Sequence, residues 1–135
     1  MEKRALVRFI SKHAPPASAR QVGEALDYAL KRKPSFGGYI LSSRMGGKPI
    51  AALVVNRTGM KGYSPSHLVV FSVMDPDHDQ AEAALLQLIE KAIGLTRGDL
   101  ALQVSPDSSF MPLYQELGFQ PRYLQLKLEK PNVMA

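Results

Sequence analysis

The chain has 135 residues, 45% of them hydrophobic, the length and apolar content of one domain with its own core. The absence of cysteine excludes disulfides, thiolate metal sites and a cysteine nucleophile, and fits a reducing compartment such as the cytoplasm; no metal is expected. A formal net charge of +5 favours anionic partners, but the one basic run, Lys31-Arg32-Lys33, lacks the interleaved aromatics that stack on bases, so nucleic acid is not the expected ligand.

Residues 5–10 are apolar and β-branched enough for a first strand, and Arg8 breaks the only apolar run near the start that could resemble a leader. No window approaches the roughly 18 apolar residues that cross a bilayer, so no membrane role is expected. After Ala14-Pro15-Pro16, Ser18 is placed to cap a helix whose Val22, Ala25, Leu26, Ala29 and Leu30 recur at helical spacing until Pro34.

Runs over 39–43 and 50–56, joined by Met45-Gly46-Gly47-Lys48-Pro49, predict a hairpin. Residues 58–66, with Gly59, Gly62 and Pro65, read as a mobile loop before 67–74, an almost wholly apolar central strand. Asp75-Pro76-Asp77-His78-Asp79 forms a turn. It opens a helix striped by Ala81, Ala84, Leu85, Leu88, Ile89 and Ala92 and closed by Gly94.

Residues 99–104 predict another strand, and Asp107 or Ser108 caps a short helix through Leu117 that Gly118 ends. Residues 123–128 alternate as a last strand, and 131–135 read as a disordered tail. The order predicts an α/β (α+β) domain over residues 1–135: a mixed sheet flanked by helices, with two strand-helix-strand passages and a ligand crevice at their carboxyl ends.

At Leu113-Tyr114-Gln115-Glu116-Leu117-Gly118-Phe119 the chain resembles the GNAT N-acetyltransferase superfamily, whose last helix commonly reads Leu-Tyr-x-x-Leu-Gly-Phe. The hairpin, the central strand ending in Val73-Met74-Asp75-Pro76, and the following helix and strand occur in the family's order, so the resemblance covers nearly the whole chain. It implies a centrally splayed sheet with acetyl-CoA lying between two parallel strands, here 67–74 and 99–104. The backbone at Ser72, Val73 and Met74 would pair with the pantetheine arm.

The resemblance also implies direct acyl transfer to an amine, borne by a small molecule or a protein, with a base and an acid. Tyr114 occupies the acid position, where a phenol keeps its proton at neutral pH; its alternative is a core aromatic. His67 stands where some members carry a glutamate base; its alternative is a solvent-facing strand end. Asp107 lies where many relatives have a cofactor-touching asparagine, or is only a cap. His78, Asp79, Gln80 and Ala81 fall where the phosphates would pass.

There the pattern departs from the family. Its Gln/Arg-x-x-Gly-x-Gly/Ala loop, which cradles pyrophosphate at a helix start, is replaced by Asp77-His78-Asp79-Gln80-Ala81-Glu82-Ala83, without glycine or arginine. Carboxylates stabilise a helix N-terminus by a few tenths to about 1 kcal/mol each and repel an anionic ligand at the same place. Two readings stay open: an acetyl-CoA-dependent N-acetyltransferase, and a catalytically degenerate GNAT-fold binding or regulatory module. Pairing into a homodimer is a further expectation from the family.

Overall fold

A computed structural model of the protein describes residues 3–14, 17–31, 37–59, 65–104, 107–122, 124 and 126–131. In chain order the elements are α1 (Lys3–His13), α2 (Ala19–Ala29), β1 (Gly38–Met45), β2 (Lys48–Arg57), β3 (His67–Met74), α3 (Ala81–Leu95), β4 (Leu100–Leu102) and α4 (Met111–Glu116). Met1–Ser105 and Pro106–Ala135 form two compact units. Arg32, Lys33 and Pro34, most of the 58–66 loop, and all of the tail but Pro131 lie outside the described residues.

The first element corrects the sequence reading: residues 5–10 lie in a helix, not a strand. Leu6, Phe9 and Ile10 are its buried residues, three and four positions apart, so one helical face reaches the core where a strand would have split them between two faces. The Ser18 cap forms as expected. Its hydroxyl accepts from the Gln21 N–H, and the Gln21 side chain accepts from the Ser18 N–H in return.

The hairpin is also as read. It turns through Gly46 and Gly47, whose φ values of 59° and 78° suit residues without a Cβ. β1 and β3 flank β2 antiparallel, and β3 pairs with β4 in parallel, giving a four-stranded mixed sheet in the order β1-β2-β3-β4 among the described residues. The parallel pair across α3 is the first expected strand-helix-strand passage.

Six consecutive residues of β2, Ile50 to Val55, are buried, which requires cover on both faces of the sheet. On one face Ala52 and Val54 join Val73 in a cluster with Leu6, Phe9, Ile10, Val22, Leu26 and Ala29 of α1 and α2. α3 packs on the other face, where Tyr39, opposite Val55, donates to the Ala92 carbonyl at 3.1 Å and shares a hydrogen bond with Thr96 Oγ1. α3 runs through Gly94 to Leu95, one residue beyond the expected stop, before Thr96 turns extended.

In the second unit α4 is shorter than read. Phe110 is its N-cap, without a side-chain cap bond, while Ser108 Oγ accepts from the Phe110 N–H at 3.2 Å in the turn before it. Gly118 closes the helix at φ 106°. The expected strand over 123–128 is not found: its described residues, 124 and 126–128, have no regular structure. Leu124, Leu126 and Leu128 are 83%, 85% and 81% exposed, so their alternation has no sheet face to serve.

Candidate functional site

The two parallel strands stay together for only three rungs: His67 with Leu100, Leu68 with Ala101, and Val69 with Leu102. β3 remains on β2 through Met74, with four further paired residues, Phe71 to Met74. At the point of parting, β3 carries a bulge. Val54 faces Phe71 and Val55 faces Val69, which leaves Val70 as the extra residue, 36% exposed.

The N–H of Asp75 donates to the Ile50 carbonyl at 2.8 Å. By antiparallel alternation, Phe71 and Val73 direct their peptide groups to β2, and Ser72 and Met74 direct theirs to the edge that β4 has left. The side chains follow the pleat: Phe71 and Val73 turn to the α1/α2 core, and Ser72 and Met74 to the α3 face. Ser72 Oγ is buried there without a hydrogen-bond partner. Phe71, a residue that could have filled a cleft between the strands, is committed to the core instead.

From Met74 the chain turns into α3. Asp75 Oδ1 accepts from the Asp77 N–H at 3.0 Å, and His78 Nδ1 accepts from the Gln80 N–H at 3.1 Å while its carbonyl accepts from the Ala81 N–H. His78 therefore shapes the turn. Gln80, the N-cap, makes no side-chain cap bond, Ala81 is fully buried, and Asp77, Asp79 and Glu82 are exposed around the helix start. The donor set fits a strand-like arm along β3; three carboxylates and no cation at the turn do not fit a pyrophosphate.

His67 sits two rungs before the parting, partly buried. Its Nδ1 lies 2.9 Å from Ser66 Oγ, and Ser66 Oγ donates to the Asp99 carbonyl at 3.0 Å. With the Ser66 proton on the Asp99 carbonyl, Nδ1 donates to Ser66 Oγ and the Nε2 lone pair is the basic site. Burial, and then the Arg57 charge, hold the imidazole below its ordinary pKa, so it is neutral at pH 7. Gly98, at φ 99°, lets the backbone pass Ser66: a Cβ there would lie 2.6 Å from Ser66 Oγ.

In the second unit, Tyr114 is 6% exposed, edge-on to Phe119 with centroids 6.2 Å apart and 6.4 Å from the Phe110 ring. Asp107 is exposed. Sequence reasoning missed Ser66 as the partner of His67, and missed the bulge at Val70. No residue pattern announces either, because both depend on which backbone lies alongside. The described residues hold no cluster of three metal-binding side chains and no helix long and apolar enough to cross a membrane.

No family model and no curated protein matches the chain. Solved structures do. A transcriptional regulator from Bacillus halodurans is similar at a TM-score of 0.65 and 17% identity, over 96% of each chain. An aminoglycoside antibiotic 6'-N-acetyltransferase from Acinetobacter haemolyticus is similar at 0.62 and 17%, over 97% of this chain and 95% of that one. An aminoglycoside N-acetyltransferase in complex with CoA is similar at 0.60 and 14%, over 94% of this chain and 87% of that one. At these identities the likeness is one of fold, and the chain has a GNAT-like mixed sheet flanked by helices.

Proposed function

We propose that the protein is a GNAT-type acyltransferase that passes an acetyl group from a pantetheine thioester, acetyl-CoA in the first instance, to an amine of a small molecule or a protein. The observation that carries this reading is the early end of the β3–β4 ladder at Val69 and Leu102, with β3 still held by β2 to Met74. The peptide groups of Ser72 and Met74 then offer a pantetheine arm the donors and acceptors of a missing strand.

In the transfer, the amine nitrogen attacks the thioester carbonyl, the C–S bond breaks, and the amine loses a proton. His67 Nε2, neutral at pH 7, is the candidate to take that proton, directly or through a water. Tyr114 is the candidate to protonate the departing thiolate, an assignment that rests on the Leu113-to-Phe119 motif. By position in the family pattern, Asp107 of the second unit, and separately His78, Asp79, Gln80 and Ala81 of the first, are each candidates to touch the donor.

A second reading, a binding module that has lost catalysis, is favoured by one observation: the exposed carboxylates of Asp77, Asp79 and Glu82 where the donor's phosphates would pass. Titration with acetyl-pantetheine and acetyl-CoA, followed by thiol release with a panel of amines, separates the two. Binding with turnover, and a fall of about a hundredfold in kcat for Tyr114→Phe, supports the enzyme. Binding without turnover, or no binding of either thioester at millimolar concentration, supports the module and removes the enzyme.

A further inference from the structure

The charge of this chain is not spread evenly. α1 holds Lys3, Arg4, Arg8 and Lys12 and no carboxylate, so four of the five net positive charges lie in one helix of 11 residues. Glu2 is the only acidic residue before Glu24. Lys3 is paired with Asp27 of α2, but Arg4, Arg8 and Lys12 are exposed and take part in no ion pair among the described residues.

These three follow one another at i, i+4 and i+8, one stripe with about 6 Å between successive charges. Folding does not account for it: Arg4 stands in the first turn, where the helix dipole disfavours a cation, and the three cations repel one another. α2 and α3, by contrast, mix both signs, as Arg20 with Glu24 and Glu90 beside Lys91.

The stripe's position matters as much as its sign. The buried face of α1 packs on Val73 and Phe71 of β3, the same stretch whose edge has lost β4. Beside that edge the turn into α3 presents Asp77, Asp79 and Glu82. CoA brings about four negative charges on its three phosphates to that turn, whereas a protein-bound phosphopantetheine arm brings about one, on its phosphodiester. The residues present thus suit a pantetheine arm better than a nucleotide's phosphates, and the helix packed on this stretch of β3 carries an exposed basic stripe.

We propose that the acyl donor is a phosphopantetheine thioester carried on an acidic helical protein, which docks its carboxylates on Arg4, Arg8 and Lys12. This rests on the transfer reading above and names its donor. The carrier's thioester C–S bond breaks as the amide C–N bond forms, the amine gives up one proton, the pantetheine thiolate takes one, and the carrier leaves as the free thiol. An acidic protein face is favoured over nucleic acid because the exposed stripe of α1 is interleaved with no Phe, Tyr or Trp to stack on a base and no amide to read one, and the His13 ring at its end is packed on Phe9.

The test compares four probes on the 135-residue chain: acetyl-pantetheine, acetyl-CoA, an acidic acyl carrier protein charged with acetyl on its phosphopantetheine, and a duplex DNA. The charged carrier is expected to bind at least about tenfold more tightly than acetyl-CoA at about 50 mM salt, and to weaken steeply by about 300 mM. Arg8→Glu is expected to weaken the carrier about fivefold, and the triple reversal of Arg4, Arg8 and Lys12 to Glu by about fiftyfold or more, with acetyl-pantetheine unchanged. A thermal melt on the single variant guards against misfolding of the triple one.

Tighter binding of acetyl-CoA than of the carrier, or carrier binding indifferent to the reversals, overturns the proposal while leaving the transfer reading intact. So does duplex DNA binding that the reversals abolish when the carrier does not bind. Failure of all thioester probes, acetyl-pantetheine included, overturns the transfer reading itself and this proposal with it.

Discussion

Val69 is the last residue of β3 to pair with β4, facing Leu102, and the residue after it, Val70, is the one bulged out of the ladder with β2. The two irregularities coincide because a bulge increases the local twist of its strand, and a short parallel neighbour cannot follow it. The edge so released is where the peptide groups of Ser72 and Met74 emerge.

The side chain at that edge is separable from the backbone. Ser72 Oγ is buried and unpartnered, so Ser72→Ala removes a desolvated hydroxyl and leaves the peptide groups in place. We expect unchanged or slightly raised stability, by up to about 1 kcal/mol in urea titration, and pantetheine binding within about twofold of wild type.

Tyr39 ties β1 to the last turn of α3. Its hydroxyl donates to the Ala92 carbonyl and pairs with Thr96, and burial raises its pKa more than the Thr96 contact lowers it. Tyr39→Phe keeps the ring and strands both partners, so a loss of about 1–2 kcal/mol is expected as a lower urea midpoint with unchanged slope.

His67 makes stability depend on pH. Its folded pKa lies below its unfolded value near 6.5, so the unfolded chain binds the proton more readily, and stability falls as pH drops through about 6.5 and below. His67→Gln should flatten the melting temperature between pH 7 and pH 5 relative to wild type. Gly98→Ala, which forces a Cβ against Ser66 at a positive φ, should destabilise the fold by about 1–3 kcal/mol and disturb the same imidazole.

The core and the C-terminal leucines should respond in opposite ways. Leu26 is fully buried among α1, α2 and the sheet, so Leu26→Ala is expected to cost about 2–5 kcal/mol. Leu126 is 85% exposed, and its replacement by Ala should change stability by less than about 0.5 kcal/mol. A large loss at Leu126 would mean that its side chain is covered in solution.

The elements that carry their own local signal were legible in the sequence. Ser18 marked the start of α2, the two glycines the hairpin, and the stripe from Ala81 to Ala92 α3, because capping, turn and periodicity are properties of neighbouring residues. The parallel pairing of β3 with β4 followed from the helix between them.

Tertiary contact decided the rest. Residues 5–10 suit strand or helix by composition, and the core beneath Leu6, Phe9 and Ile10 selected the helix, which in turn set Arg4, Arg8 and Lys12 in one exposed line. Residues 123–128 alternate as a strand should, yet a strand exists only where another lies beside it, and the described ones, 124 and 126–128, have none. The sequence by itself determined α2, the hairpin and α3 through short-range chemistry. The bulge at Val70, the parting at Val69 and Leu102, and the Ser66–His67 contact were decided by the tertiary structure, since each is a relation between segments that the chain brings together only on folding.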